Sequence, residues 1–339
     1  MYSGPMMLDH KLCERIMVNP YARDIIDAFG VEIEIEGVNI KTASKAIRSF
    51  WDIHNDGSLR VRGVEDQAIE YVFNRPFNRE ATKEAIEILF DYLNSPAVRV
   101  YESYRTSVHV HVNCAMETFR TIYNYITLCL IFDELMVSQN GVHRIGNNFC
   151  LRAKDALGQV ESLTHSIERG QEFFGIDRNE RYSSINFASL CKFGTIEFRS
   201  LEFTTHAGRL THWIGTVQHM KEFARAYNDP TEVIGDFSRL GAKDFLWKIL
   251  GPYAVKYAGV VGYESMLLSG MRIAQDFAFC SEWIAEKRVK DDDETRNRIR
   301  QKQEAQAAAE LAGHLMEQGQ PFPPPFRPAR PKPVKPQIQ

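Results

Sequence analysis

The chain has 339 residues and a net charge of −3 at pH 7, and its composition is 44% hydrophobic and 25% charged. This composition is typical of a globular protein with one large domain or two modest ones. The charge balance provides no chain-wide basic surface, so nucleic acid is not expected as a partner. No uncharged apolar run approaches the roughly 18 residues of a membrane helix, so no membrane association is expected.

The six cysteines are spaced irregularly and form no C-x-x-C pair. That pattern favours free thiols in a reducing compartment over a disulfide framework. The N-terminal segment also lacks the apolar stretch of a secretory signal. Together these features predict a cytoplasmic protein.

The first part of the chain predicts three strands. An irregular lead-in over residues 1–28 is followed by residues 29–36, where apolar and acidic side chains alternate as on a two-sided strand. A turn signal at residues 55–58 precedes a second predicted strand over residues 67–73. Residues 106–113 alternate again and predict a third strand.

Helices are predicted where apolar residues recur with the helical period. The segments are 78–94, 116–139 and 207–227, and the middle one is apolar enough to be buried over much of its surface. Residues 181–190 and 194–203 predict a strand pair joined by a short turn. Alternating strands with tight links favour an antiparallel sheet, and therefore an α+β fold.

The last part of the chain changes character. Residues 228–283 carry aromatic and apolar side chains without an assignable motif, and we expect them in the core or in a substrate lid. Residues 281–320 are charged and then Ala-rich, which predicts an exposed helix. Residues 321–339 are Pro-rich and basic, which is typical of a disordered tail in an extended conformation. A docking peptide that binds a protein partner is the alternative for this tail.

Acidic, histidine and arginine residues recur at a spacing of two on the predicted strands. Side chains two apart on a strand point to the same face of a sheet. Several carboxylates on one face would repel one another unless cations lay between them, which suits divalent metals and the phosphates that they carry. The candidates are Glu32, Glu34, Glu36, Glu70, His109, His111, Glu197 and Arg199.

Each of these elements has an ordinary structural alternative. Alternating glutamates can form the solvated face of an edge strand, and a strand histidine is often a core or surface residue. Glu197 and Arg199 can form a surface salt bridge. Asp56 and Ser58 belong to a turn first and to a substrate-contact loop second. The ordered set as a whole favours the functional interpretation.

Taken in their order along the chain, the motifs that contain these residues resemble those of the phage and bacterial amidoligase family, within the glutamine synthetase and glutamate–cysteine ligase superfamily. The resemblance covers about residues 28–225. The motifs are G-x-E-x-E at 30–34, D-G-S-L at 56–59, the acidic strand and its proline at 70–76, H-V-H-V at 109–112, R-x-x-N at 144–147 and T-x-E-F-R at 195–199. No single motif is decisive, but the ordered set is specific.

The resemblance implies a glutamine synthetase-like half-funnel: a curved antiparallel sheet with the acids on its concave face and helices packed on its convex face. It makes residues 29–280 an amidoligase-like catalytic domain. The small N-terminal domain of glutamine synthetase is not recognisable. If a phage encodes the chain, the expected compartment is the host cytoplasm.

The resemblance also implies an ATP-dependent, ADP-forming carboxylate–amine ligase that passes through an acyl phosphate. The expected cofactors are ATP and two or more Mg²⁺ ions, with Mn²⁺ as a substitute, and the expected partners are a small-molecule or peptide carboxylate and an amine. By position, the metal ligands would be Glu32, Glu34, Glu70, His109 and Glu197. Nucleotide or substrate would contact His111, Ser58, Arg144 and Asn147.

Two catalytic roles follow from the same resemblance. Arg199 would neutralise the transferred phosphoryl group, and Asp56 would accept the proton of the amine. Glu36 has no counterpart and is expected at the rim as a spare acid. The chain departs from its relatives at Ser107, where many have glycine, and only Glu65 offers a second acid near Glu70.

Three other functions remain open. A non-catalytic interaction or virion-associated module could retain the same fold, and a guanidino phosphotransferase could use the same site. A His-x-His metallohydrolase on a barrel would need regularly alternating strands and helices, which this sequence lacks.

Overall fold

The computed structural model describes residues 8–14, 23, 25–168, 182–279 and 301. The chain divides into two compact units, Met1–Ile284 and Ala285–Gln339. All strands and helices given below belong to the first unit. The predicted charged helix and Pro-rich tail lie outside the described residues, apart from Gln301.

The described residues of the first unit form one open sheet in the order β2-β3-β1-β5-β7-β6, with β4 also paired to β1. Every strand pair described is antiparallel, as the sequence predicts. The strands are β1 (Phe29–Val38), β2 (Trp51–Asn55), β3 (Asp66–Phe73), β4 (Arg99–Val100), β5 (Ser107–Asn113), β6 (Ile185–Asn186) and β7 (Thr195–Glu202).

Strand β1 lies in the middle of the sheet and has two chemically different faces. Val31, Ile33 and Ile35 are fully buried in the hydrophobic core. The glutamates between them point to the other face, because side chains alternate along a strand. The predicted two-sided strand is confirmed, and its apolar side anchors the sheet to the core.

Helices pack around the sheet and supply the rest of the core. Phe198 on β7 meets the aromatic rings of Tyr125 and Trp213, both with centroids 5.9 Å away, so two helices share this contact with the sheet. The helices are α1 (Lys45–Arg48), α2 (Arg79–Leu93), α3 (Phe119–Asn140), α4 (Leu157–Glu168), α5 (Ser189–Phe193), α6 (Ala207–Ala224), α7 (Pro230–Leu250), α8 (Ala254–Ala258) and α9 (Tyr263–Phe279).

The three predicted helices correspond to α2, α3 and α6. Asn78 and Thr118 cap α2 and α3, because their side chains accept hydrogen bonds from the main-chain N–H groups of Ala81 and Thr121. Helix α3 is buried along nearly its whole length, as its composition predicts. Among the described residues, no helix is long and apolar enough to cross a membrane.

Several elements differ from the sequence prediction, among them strands β6 and β2. Only Ile185–Asn186 of the expected strand 181–190 pairs with β7. The chain then turns, because the Asn186 side chain accepts a hydrogen bond from the Ala188 N–H and the Ser189 hydroxyl donates to the Asn186 carbonyl. Strand β2 was not predicted, since it is a five-residue edge strand inside a polar segment.

Residues 228–279 form α7, α8 and α9, and their buried side chains belong to the hydrophobic core. Helix α9 lies close against α3 at Gly270, where an added Cβ would overlap the Ile131 carbonyl oxygen. The approach of these two helices therefore depends on the absence of a side chain at that position.

Gly270→Ala is expected to destabilise the protein, because the new methyl group would force α9 away from α3. Overpacking of this kind costs about 1–3 kcal/mol. Gly235→Ala is a matched control in α7: it is exposed, an added Cβ would meet no atom within 4 Å, and alanine should stabilise the helix by about 0.5–1 kcal/mol. Urea unfolding measures the change in the free energy of unfolding for each variant. Equal changes at the two glycines would contradict the close packing of α9 against α3.

Candidate active site

Strand pairing brings the predicted site residues from four neighbouring strands onto one face of the sheet. Glu34 lies directly opposite Glu70, and Glu32 lies opposite His109. His111 in turn lies opposite Glu197. Directly opposed residues of an antiparallel pair project to the same face, so these side chains form a row across β3, β1, β5 and β7.

His109 occupies the centre of this row and is only 2% exposed. Its Nδ1 lies 3.2 Å from Glu32 Oε2 and 3.5 Å from Glu197 Oε1. Its Nε2 lies 2.8 Å from the Ser107 hydroxyl and 3.7 Å from Glu34 Oε2. Ser107 also hydrogen-bonds Glu34. One imidazole on β5 thus contacts carboxylates from both strands that flank it, β1 and β7.

His111 lies one step further along β5. Its Nε2 is 3.3 Å from Glu32 Oε1, although the two groups are not aligned as a hydrogen bond. Its Nδ1 is 3.0 Å from the Thr195 hydroxyl, and its ring meets Phe193 edge-on at 5.8 Å. The ring is therefore fixed by Thr195 and Phe193, while its Nε2 faces a carboxylate.

Glu197 and Arg199 form the end of the row on β7. Arg199 Nη1 donates to Glu197 Oε1 at 2.6 Å and lies 3.4 Å from His109 Nδ1. Asn186 Nδ2 donates to the other Glu197 oxygen at 2.7 Å. The guanidinium therefore lies inside the acidic cluster, as an internal positive charge.

Within the described residues, the cluster offers three groups of potential metal ligands. In each group the ligand atoms lie within 4.8 Å of one another. Carboxylate oxygens suit both Mg²⁺ and Mn²⁺, and imidazole nitrogens are compatible with Mn²⁺, the softer of the two ions. The groups are Glu32–Glu70–His109, Glu32–His111–Glu197 and Glu34–Asp56–Glu70.

The electrostatics of the cluster show a shortage of positive charge on its β3 side. Burial, together with the charges of Glu32, Glu34 and Asp56, raises the pKa of Glu70 to about 8. Without a cation Glu70 therefore holds a proton at neutral pH. A bound divalent ion would relieve this repulsion, so the residues fit such a metal.

The β5 and β7 side is better balanced. Burial alone would raise the pKa of Glu32, but the close contacts with His109 and His111 hold it well below its usual range. Burial also opposes ionisation of Glu197, yet Arg199 and the two histidines lower its pKa. Conversely, Glu197 and Glu32 raise the pKa of His111 against the effect of its burial.

The loop after β2 has the predicted turn. Asp56 Oδ1 accepts a hydrogen bond from the Ser58 N–H at 2.7 Å, and the Ser58 carbonyl accepts one from Arg105 at 2.7 Å. Glu36 is fully buried rather than at the rim, where the sequence placed it. The Glu36 Oε1 atom accepts a hydrogen bond from the Arg60 N–H at 2.8 Å, so this carboxylate anchors the loop after β2. Glu65 is exposed and belongs to none of the three ligand groups.

The two residues of the R-x-x-N motif contact the protein itself. Arg144 is fully buried, and its Nη2 donates to the Arg199 carbonyl at 2.8 Å. Asn147 Nδ2 donates to the carbonyls of Tyr104 and His143, and its Oδ1 accepts from the Phe149 N–H. Substrate binding by Arg144 and Asn147 stays a prediction, alongside these structural contacts.

Sequence reasoning gave no site role to three residues that contact the cluster: Ser107, Asn186 and Thr195. Ser107 and Thr195 stand two residues before His109 and Glu197, so the same spacing rule could have indicated them. Asn186 lies on a two-residue strand that only its pairing with β7 defines. No local signal in the sequence indicates its contact with Glu197.

Residues 76–220 match the model of the family described as "Putative amidoligase enzyme". The match confirms the resemblance found in the motifs, and this segment is similar to the amidoligase family, whose description indicates ligase-type enzymes. A search of curated proteins finds no match. The matched segment contains His109, His111, Glu197 and Arg199, whereas Glu32, Glu34, Asp56 and Glu70 precede it. Strand pairing joins the two sets.

The raised pKa of Glu70 predicts how stability depends on pH in the metal-free protein. The folded state keeps the Glu70 proton up to about pH 8, whereas the unfolded chain loses it near pH 4.5. The free energy of unfolding should therefore fall as pH rises through this window. Glu70→Gln, which stays neutral, should flatten the decline.

Urea unfolding in EDTA at several pH values across that window measures this effect. Glu65→Gln is the control, because it makes the same chemical change at an exposed position outside the cluster. It should keep the slope of the wild type. Equal slopes for the wild type and Glu70→Gln would show that the Glu70 carboxyl does not retain its proton.

Proposed function

We propose that this protein is an ATP- and Mg²⁺-dependent carboxylate–amine ligase that forms an amide through an acyl phosphate. The observation that carries the proposal is the cluster itself: three overlapping groups of carboxylates and imidazoles within 4.8 Å, with the Arg199 guanidinium beside them. The amidoligase match of residues 76–220 supports ligase chemistry. We also propose that the open sheet is the half-funnel of the glutamine synthetase superfamily.

Glu32, Glu34, Glu70, His109 and Glu197 would hold two or more Mg²⁺ ions, with Mn²⁺ as a substitute. Bound ions would offset the charge of the ATP phosphates and orient them. Glu32 belongs to two of the three ligand groups, and Glu70 also belongs to two. Shared carboxylates of this kind would hold neighbouring ions close together.

In the first step, an oxygen of the substrate carboxylate attacks the γ-phosphorus of ATP. The bond from this phosphorus to the β–γ bridging oxygen breaks, and ADP leaves with the electron pair. Arg199 would stabilise the charge on the transferred phosphoryl group, because its guanidinium presents donors in a planar fork. Its hydrogen bond to Glu197 would orient it for this role.

In the second step, the amine attacks the acyl carbon and phosphate leaves with the C–O electron pair. The amine nitrogen then gives up a proton, and we assign its acceptance to Asp56. Asp56 is half-buried on the loop after β2 and lies within 4.8 Å of Glu34 and Glu70. His111 and Ser58 would contact the nucleotide or the substrate at the margins of the cluster, and Arg144 and Asn147 would support the same region.

Three variants test the chemistry: Glu34→Gln, His109→Ala and Arg199→Ala. Each should lower Mg²⁺-dependent ADP release by about hundredfold or more, because each removes a charge or ligand at the transferred group. Glu87→Gln is the control, since Glu87 is exposed on α2 and pairs with Lys83 on the surface of that helix. The assay uses ATP, Mg²⁺ and a panel of carboxylates and amines, with product masses read by mass spectrometry.

The outcomes separate the competing functions. An amide product that depends on all three residues supports the ligase, and a phosphoguanidine product would identify a guanidino phosphotransferase. Unchanged turnover in all three variants would remove the proposal. Nucleotide binding without turnover on any tested substrate would favour a non-catalytic module on the same fold.

Binding of Mg²⁺ and a non-hydrolysable ATP analogue is a second measurement. At a ligand concentration about a hundred times Kd, the unfolding free energy should rise by about 2.7 kcal/mol. The thermal shift should require both the metal and the nucleotide, and it should be lost in Glu34→Gln. An equal shift in EDTA would contradict the metal dependence.

A further inference from the structure

Arg144 is an unusual side chain for a protein core. It is fully buried, and among the described residues it forms no ion pair with a carboxylate. Its Nη2 donates to the Arg199 carbonyl, and its Nε and Nη1 have no partner in hydrogen-bond geometry in the described part of the chain. Burial raises the pKa of the Cys150 thiol, and Arg144 lies close enough to oppose this shift. Burying a guanidinium without a counter-ion is costly. The hydrogen bond that Arg144 donates to the Arg199 carbonyl therefore indicates what this arginine does in the fold.

The carbonyl that Arg144 binds belongs to a β-bulge. Val110 pairs with Phe198, whereas Val108 pairs with Leu201, so Arg199 and Ser200 together stand opposite His109. The extra residue lets both Phe198 and Leu201 point into the core while Arg199 points into the acidic cluster. The direction of the Arg199 side chain thus depends on the shape of the chain at this bulge.

The main chain of Arg199 is held on the side of β6. Its N–H donates to the Ser184 carbonyl at 2.8 Å. Its carbonyl points the same way, as main-chain groups of one strand residue do, and it accepts from Arg144. Arg144 therefore supplies the hydrogen bond that a longer β6 would have made.

Ser184 is itself fixed from the core. Its N–H donates to the Leu151 carbonyl at 2.7 Å, and its hydroxyl donates to Asp133 of α3. The second Asp133 oxygen accepts from the Ala153 N–H at 2.6 Å. The bulge is thereby tied to α3 through Ser184, and Arg144 completes the arrangement on the carbonyl side.

We propose that Arg144 is a positioning residue that holds the β7 bulge so that the Arg199 guanidinium lies against Glu197 and His109. The inference rests on the proposed function only where it concerns the role of Arg199 toward a phosphoryl group. The placement of Arg199 follows from the contacts themselves. In this assignment Arg144 acts through the main chain of Arg199, in place of the direct substrate contact that the family resemblance implies.

Crystal structures of the full-length wild type, Arg144→Met and Arg144→Lys test the placement without any ligand. In Arg144→Met the Arg199 Nη1 should leave hydrogen-bonding distance of Glu197 Oε1, which is 2.6 Å in the wild type. Lysine keeps one donor and should restore the contact in part. An unmoved Arg199 guanidinium in both variants would overturn the proposal, and the lysine variant serves if the methionine variant does not fold.

Arg152→Met is the matched control, because Arg152 lies in the same segment but bridges Asp155 and Glu134 rather than β7. Its Arg199 should stay in place. The melting temperature adds a readout that separates positioning from support of the fold. Arg144→Met should melt within a few degrees of the wild type, since it removes an unpaired buried charge as well as one hydrogen bond.

Affinity for Mg²⁺ and a non-hydrolysable ATP analogue connects the placement to function. Arg199→Met and Arg144→Met should each weaken binding by about tenfold, which is typical of a lost charge-assisted hydrogen bond. The double variant should be no weaker than either single variant, because both changes remove the same interaction. Additive losses would overturn the proposal. If the wild type does not bind the analogue, the proposed function fails, and the crystal comparison still decides the placement of Arg199.

Discussion

The register of β1 against β3 and β5 is the constraint on which the acidic cluster depends. Side chains alternate along a strand, so a slip of one residue would move Glu32 and Glu34 into the core and Ile33 to the open face. Burying one aliphatic side chain stabilises by about 1.5–3 kcal/mol, and a proton on Glu70 removes the like charge opposite Glu34. The three buried aliphatic residues on β1 therefore hold this register.

The fold therefore leaves electrostatic repulsion between carboxylates in the candidate site. The β7 side of the cluster contains Arg199, and both histidines contact Glu32. On the β3 side, burial and the facing carboxylates of Glu32, Glu34 and Asp56 together raise the pKa of Glu70. In the proposed function, divalent ions would occupy this part of the cluster and offset the charge of its acids. Such a site would release its proton and bind a divalent ion in the same event.

The sequence predicts those elements whose pattern is local and strong. The alternation in β1 and β5 and the apolar stripe of α2 gave the right element type and nearly the right bounds. The strand predicted over residues 181–190 was too long. The hydrogen bonds of the Asn186 and Ser189 side chains turn the chain after the two residues of β6. Such side-chain contacts are not visible in hydrophobic periodicity. The side chains of the candidate site meet because they lie on paired strands. The spacing of two predicted which side chains share a face within one strand, but it did not predict which strands pair.

The amino-acid sequence by itself determined which residues share a face within each strand, because alternation is a property of the backbone. It also determined the order of motifs that resembles the amidoligases and the match of residues 76–220 to that family. Only the tertiary structure decided which strands are neighbours, and so which acid meets which histidine. It alone places Asn186 on Glu197, buries Glu36 and brings Arg144 to the Arg199 carbonyl. These contacts join distant parts of the chain, so they follow from packing and register rather than from any local pattern.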